Sequence, residues 1–180
     1  MTPGEMIDPP AGQASRLPRV ALAILVACGL AALFWPASSG REEVPGGFLV
    51  DANGRPSPMG DHLEPATLVH FWATWCPPCL TEIPAVLRLR HDIAAPGSVA
   101  VLLVAVGDSP DKVKSFLGDA ADQALFDPRW DVAHRYGTRQ LPETYLLING
   151  RVADKFVGAT EWDDPAVRER LRARMSGAGS

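Results

Sequence analysis

Residues 68–82 read LVHFWATWCPPCLTE, and no other stretch restricts the possible fold as much. Leu68, Val69, Phe71 and Trp72 form an apolar, β-favouring run long enough for a buried strand. Ala73-Thr74-Trp75 carries the chain to Cys76-Pro77-Pro78-Cys79, which reads as the opening of a helix. Cysteines at i and i+3 on a helix start fall within the roughly 4.4–6.8 Å Cα separation that a disulfide needs. The same helix start exposes unpaired backbone N–H groups, whose partial positive charge favours thiolate over thiol at Cys76. A strand that delivers a CxxC to a helix N-terminus is a device for making and breaking disulfides.

Two other chemistries use this spacing. Half of a zinc site is one, but zinc takes four protein ligands, and no second CxxC or paired His-Cys cluster follows. A purely structural bridge is the other, yet a link from i to i+3 closes a tiny loop and removes little entropy from the unfolded chain. The third cysteine of the chain, Cys28, lies far away in an apolar stretch. Redox exchange is the favoured reading. A formal charge of −4 leaves no basic footprint, so nucleic acid is excluded as a partner class.

FWATWCPPC, the Glu82 that follows it and the later LPETYLLI together resemble the membrane-anchored thioredoxin-like proteins of bacteria, the TlpA/ResA/CcmG group. The likeness runs from about Phe48 to Trp162. It implies an α/β thioredoxin-like fold, a mixed β-sheet flanked by helices, and thiol–disulfide exchange facing the periplasm or cell exterior. It further implies reduction of disulfides in exported client proteins, apocytochrome c or copper-site assembly proteins, with electrons from a membrane donor of the DsbD/CcdA type. No cofactor or metal is expected beyond a redox-active Cys76–Cys79 disulfide.

Residues 1–19 are rich in Pro, Gly and small polar types and read as a disordered cytoplasmic N-terminus. From Val20 to Trp35 the chain carries no charge, and residues 20–36 read as a transmembrane signal anchor, slightly short of the ~17–25 residues usual for a span. Arg16 and Arg19 precede it, which places the N-terminus in the cytoplasm and the rest outside. A cleaved signal peptide, or lipidation at Cys28 in a Leu25-Val26-Ala27-Cys28 motif, are the competing readings. Residues 37–47 form a flexible linker, and residues 48–176 the thioredoxin-like domain. Within that domain the sequence predicts strands at 48–51, 67–73, 99–106, 125–127, 144–148 and 152–157, with a weak return strand after Asn53-Gly54. It predicts helices from Cys76 to about Arg90 (with Pro84 inside), over 111–117, around 130–136 and over 165–175. Arg168, Arg170, Arg172 and Arg174 alternate along the last helix and read as a solvated surface.

Cys76, first and nearest the helix terminus, is the expected solvent-open nucleophile, and Cys79 the resolving thiol that attacks the mixed disulfide. Pro77 and Pro78 occupy the first turn, where a missing N–H costs nothing. Trp75 belongs to the substrate surface and Trp72 to the core. The resemblance makes Glu82 an active-site acid, which would exchange the proton of the resolving thiol. It makes Pro142 a cis-proline, with Leu141 offering backbone groups to the partner and Glu143 biasing partner choice. His70 stands where ordinary thioredoxins carry an Asp and this group an Asn. It is either a possible proton relay or a satisfied histidine. His91 and His134 read as surface residues. A rival class is a copper-binding metallochaperone of the same fold, holding the metal with Cys76, Cys79 and His70 or His134.

Overall fold

A computed structural model of the chain describes residues 47–92 and 99–176, the side chains of 91 and 92 excepted. The anchor expected at 20–36, the N-terminus before it, Cys28 and residues 37–46 of the linker lie outside the described residues, as does the side chain of His91. Among the described residues no helix is long and apolar enough to cross a membrane.

Seven strands among these residues form one sheet in the order β2-β1-β5-β4-β3-β6-β7. They are β1 (Phe48–Val50), β2 (Pro56–Pro58), β3 (Ala66–Trp72), β4 (Ala100–Val106), β5 (Leu125–Asp127), β6 (Glu143–Ile148) and β7 (Arg151–Val157). The helices are α1 (Pro77–Asp92), α2 (Pro110–Leu117), α3 (Asp131–Arg135) and α4 (Pro165–Ser176), with 3-10 turns at Met59–His62 and Gly118–Gln123. β3 runs parallel to β4 and antiparallel to β6, so the sheet is mixed. The return strand β2 is short and bounded by prolines at the sheet edge, where a missing N–H breaks no ladder. The folded part already includes Gly47, whose carbonyl accepts from the Met59 N–H at 2.9 Å.

β3 lies inside the sheet between β4 and β6 with both faces covered, which is why apolar residues occupy both of its faces. Leu68 and Trp72 face one core with Cys79, Ile83, Val86 and Leu89 of α1, together with Trp162 and Leu171. The spacing of those α1 positions makes one helix stripe, and it seats the cysteine-bearing helix on β3. Val69 and Phe71 point the other way, into a second core with Val132, Ala133, Tyr136 and Tyr145.

Asp127, at the end of β5, ties α3 to the sheet. Its buried carboxylate accepts from the N–H groups of Val132 (3.0 Å) and Ala133 (2.8 Å). These are orphan donors of the first helical turn, satisfied from outside the helix. Asp127→Ala is expected to cost about 1–2 kcal/mol, measured by urea unfolding.

Along the last helix Arg170, Arg172 and Arg174 are exposed, as expected, and Arg168 is half-buried. Arg170 forks onto both oxygens of the largely buried Asp154 carboxylate (2.6 and 2.8 Å) and lies over the Phe156 ring at 4.4 Å. Arg168 donates to the Trp162 carbonyl at 3.1 Å. These two arginines fasten α4 to β7 and the loop before it. Alternation in sequence gave no view of Asp154, which comes from another element.

Candidate active site

The chain leaves β3 at Trp72 and reaches α1 through Ala73, Thr74, Trp75 and Cys76. Cys76 and Cys79 are joined as a disulfide with Cα atoms 5.3 Å apart. The Cys79 N–H donates to Cys76 Sγ at 3.3 Å, an interaction that would also favour a thiolate there after reduction. Cys76 is 5% exposed and Cys79 not at all. The nucleophile position is therefore less open than its place at the helix start suggested. Cys76 belongs to the same core as Trp72, Ala73 and Cys79, and what opening exists in the pair belongs to Cys76.

The end of β4 holds the loop in place. Asp108 Oδ2 accepts from the Thr74 N–H at 2.6 Å, and the Gly107 carbonyl accepts from Trp75 Nε1 at 3.1 Å. Gly107 has φ of +57°, and a Cβ there would meet Trp130 Nε1 at 2.8 Å, so only glycine fits. Trp75 is 51% exposed and packs near Trp130 (ring centroids 6.1 Å apart), which stacks in turn on His134 at 5.6 Å. Pro77 and Pro78 are exposed beside it. These side chains form an aromatic and proline rim around the disulfide. His134 is exposed, as expected, and its stacking on Trp130 is an addition.

The Leu141–Pro142 peptide is cis. Register pairs Glu143 with Phe71, which sets Pro142 beside the end of β3 next to the cysteine loop. Leu141 is half-buried between the two cores, and the Pro142 carbonyl is taken by the Gly158 N–H at 2.9 Å. Glu143 does not face the rim. It is buried, accepts from Tyr145 Oη at 2.9 Å and pairs with Lys155 Nζ at 3.0 Å. A carboxylate committed inward in this way does not bias partner choice by direct contact.

Glu82 lies one turn past Cys79 on the buried side of α1, 6% exposed. Its Oε2 accepts from the Thr160 N–H (2.8 Å) and Trp162 Nε1 (3.2 Å). Its Oε1 faces Nε2 of His70 at 3.4 Å. That is long for a hydrogen bond, and neither atom has another hydrogen-bond partner. His70 is wholly buried on β3, and its Nδ1 is 2.8 Å from Thr144 Oγ1. Proximity alone would suggest an ion pair, but burial works against both charges. It raises the Glu82 carboxyl from 4.5 to about 7, the two donors opposing this only in part. It lowers His70 from 6.5 to about 3. Between those limits both groups are neutral.

The shifts set the pH dependence of stability. The folded state holds the Glu82 proton longer than the unfolded chain, so stability falls as pH rises from 4.5 towards about 7. The folded state refuses the His70 proton, so stability also falls as pH drops from 6.5 towards about 3. The slopes oppose one another between 4.5 and 6.5, giving a plateau with losses on both sides. Glu82→Gln is expected to remove the plateau, leaving stability that rises with pH up to about 6.5 and stays level above it. Urea unfolding across the pH range measures it.

The structure thus brings Cys76, Cys79, Trp75, Pro77, Pro78, Leu141 and Pro142 to the end of the sheet where β3 stops and β6 starts, with Glu82 and His70 paired behind them. Thr160, Trp162, Thr144 and Asp108 complete the site and were not singled out from the sequence. No local pattern marks them, because their partners lie in remote segments. Among the described residues no group of three or more His, Cys, Asp or Glu side chains is arranged to hold a metal ion.

A thioredoxin-like domain carrying a helix-borne cysteine pair over a buried carboxyl defines a thiol–disulfide oxidoreductase. The redoxin family model matches residues 40–171, and the chain belongs to that family. It is 30% identical to the thiol-disulfide oxidoreductase ResA of Geobacillus thermodenitrificans over 119 residues, 64% of this chain and 68% of that protein. It is 34% identical to the thiol:disulfide interchange protein DsbE homolog of Paracoccus denitrificans, covering 60% of this chain and 56% of the relative. For HelX of Rhodobacter capsulatus the identity is 30%, over 51% of each chain. The chain spans little more than half the length of these last two. The fold is shared with a putative thiol:disulfide interchange protein DsbE from Chlorobium tepidum, with a TM-score of 0.60, 24% identity, and coverage of 74% of this chain and 95% of that one.

Proposed function

We propose that the chain is a membrane-tethered reductase that works outside the cytoplasm on disulfides of exported proteins. The Cys79 N–H directed at Cys76 Sγ, at the one sulfur with any opening to solvent, is the observation that carries this reading. In the reduced state the Cys76 thiolate attacks a client disulfide. A Cys76–client bond forms, the client bond breaks, and one client thiolate leaves and is protonated by water. Cys79 then gives its proton to the Glu82 carboxylate, and its thiolate attacks Cys76 Sγ. The Cys76–Cys79 disulfide forms and the second client thiolate departs, two electrons having passed to the client. A carboxyl near 7 accepts and returns this proton at neutral pH.

Trp75, Pro77 and Pro78 form the wall against which the client chain lies, and Leu141 and Pro142 border it. Re-reduction falls to a membrane dithiol donor of the DsbD/CcdA type. The uncharged run at 20–36, with arginines before it, supports tethering. Apocytochrome c or copper-site assembly proteins are the proposed clients, from the likeness to the TlpA/ResA/CcmG group. The copper-holding alternative draws no support from His70, whose ring is turned to Thr144 and Glu82.

Cys79→Ser removes the resolving thiol and should leave clients covalently attached to Cys76. Mass spectrometry of the adducts identifies them. Failure to accumulate any mixed disulfide with a disulfide-bearing substrate would defeat the reading.

A further inference from the structure

The Glu82 carboxyl needs surroundings that accept it both with and without its proton, and His70 is the residue placed to supply them. Its ring is fully buried on β3. The space beside it, lined by Leu68, Val86, Leu89, Val101, Thr144 and Trp162, is too small to hold a water. Its Nδ1 meets Thr144 Oγ1 at 2.8 Å, and its Nε2 faces Glu82 Oε1 at 3.4 Å, the two facing atoms having no other hydrogen-bond partner. The inference rests on the reading that Glu82 serves Cys79. We propose that His70 is a positioning residue for disulfide exchange, forming with Thr144 and Glu82 one acid–base unit that keeps Glu82 Oε1 and both ring nitrogens paired in both protonation states of the carboxyl.

The two states follow from the donor and acceptor inventory. With Glu82 ionised, Nε2–H donates to Oε1 and Nδ1 accepts from the Thr144 hydroxyl. With Glu82 protonated, Oε1–H donates to Nε2 and Nδ1–H donates to Thr144 Oγ1. The second state holds one proton more than the first, the proton that Cys79 loses when it becomes the attacking thiolate. In both states the imidazole carries one proton and no net charge, as its burial demands. An asparagine or leucine at this position lacks the two-sided ring that links Thr144 to Glu82. The groups facing the carboxyl are His70 from β3 and the Thr160 N–H and Trp162 Nε1 from the segment before α4, and Cys79 lies three residues earlier on its own helix. Glu161 is the further charge acting on it, and pushes it in the same direction as burial.

The decisive experiment uses the full chain in its oxidised form, where the cysteines do not titrate. The Glu82 carboxyl stretch is followed by infrared difference spectroscopy, its band assigned by its loss in Glu82→Gln. The ring nitrogens of His70 are followed by ¹⁵N NMR between about pH 5 and about pH 9. The expected result is one shared midpoint, at which the two nitrogens exchange protonated and unprotonated signals without forming imidazolium. Ring nitrogens that stay unchanged while Glu82 titrates would overturn the proposal, and so would imidazolium formation. His70→Leu removes the donor that faces the ionised carboxylate and should raise the midpoint by roughly one pH unit, about tenfold in proton affinity. His70→Gln, which keeps an amide, should stay closer to the parent. An unchanged midpoint in folded His70→Leu refutes the role, and if that variant does not fold, the NMR titration of the parent decides. Alkylation of reduced Cys76 by iodoacetamide is a separate control. An unreactive Cys76 would defeat the reductase reading while leaving the titration result standing.

Discussion

Cys76→Ser is expected to lower disulfide-exchange turnover by on the order of 10³-fold or more, measured against a fluorogenic disulfide substrate at neutral pH. The reason lies in the burial of the pair. Cys79 has no exposed surface, so it cannot reach a client when its partner is lost. The fold should survive, because the disulfide spans a separation of three residues and its loss costs at most about 2 kcal/mol. A variant that retained substantial turnover would show that the sulfur at 79 reaches substrate directly, and the assignment of nucleophile and resolving thiol would be reversed.

Trp162→Ala is expected to destabilise the domain by about 3–5 kcal/mol, read from urea unfolding at neutral pH. The ring is almost wholly buried, packs on Phe156 at 5.2 Å and meets the edge of His70 at 6.4 Å. Its Nε1 is also one of the two donors to Glu82 Oε2. Truncation therefore opens a large cavity and strips a hydrogen bond from a buried carboxyl at the same time. Trp162→Phe separates the two effects. It keeps most of the apolar contact, and should cost less in stability while moving the Glu82 carboxyl further upward in pKa.

The organising strand and the cysteine turn were legible because their signals are local, whereas the cis-proline at 142 came from the family resemblance. Apolar β-favouring residues run through 68–72, the CxxC stands at a fixed offset after them, and LPET precedes the next strand. Strand and helix limits agree with the sequence reading to within a few residues for the same reason. What the sequence concealed depends on pairings between distant segments. Glu143 looked like a surface determinant beside Pro142, but Lys155 and Tyr145 draw it inward. The arginines of α4 are mostly exposed as the sequence implied, but it did not show that Arg170 pairs with Asp154 or that Arg168 reaches the Trp162 carbonyl. His70 had two open readings, and only the approach of α1 to the face of β3 that carries it joins the ring to Glu82. The reduced openness of Cys76, in a loop bonded to Gly107 and Asp108 just past β4, was likewise hidden.

The donors that hold Glu82 arrive late in synthesis. Thr160 and Trp162 lie 78 and 80 residues beyond the carboxylate they hold. A growing chain adds that length in roughly 4–16 s at ordinary translation rates. Throughout that interval both cysteines exist while Glu82 lacks the two donors to its Oε2. On the proposed reading, proton exchange between Glu82 and Cys79 would then await the docking of nearly the last segment of the domain, and a truncated chain would carry the thiols without it.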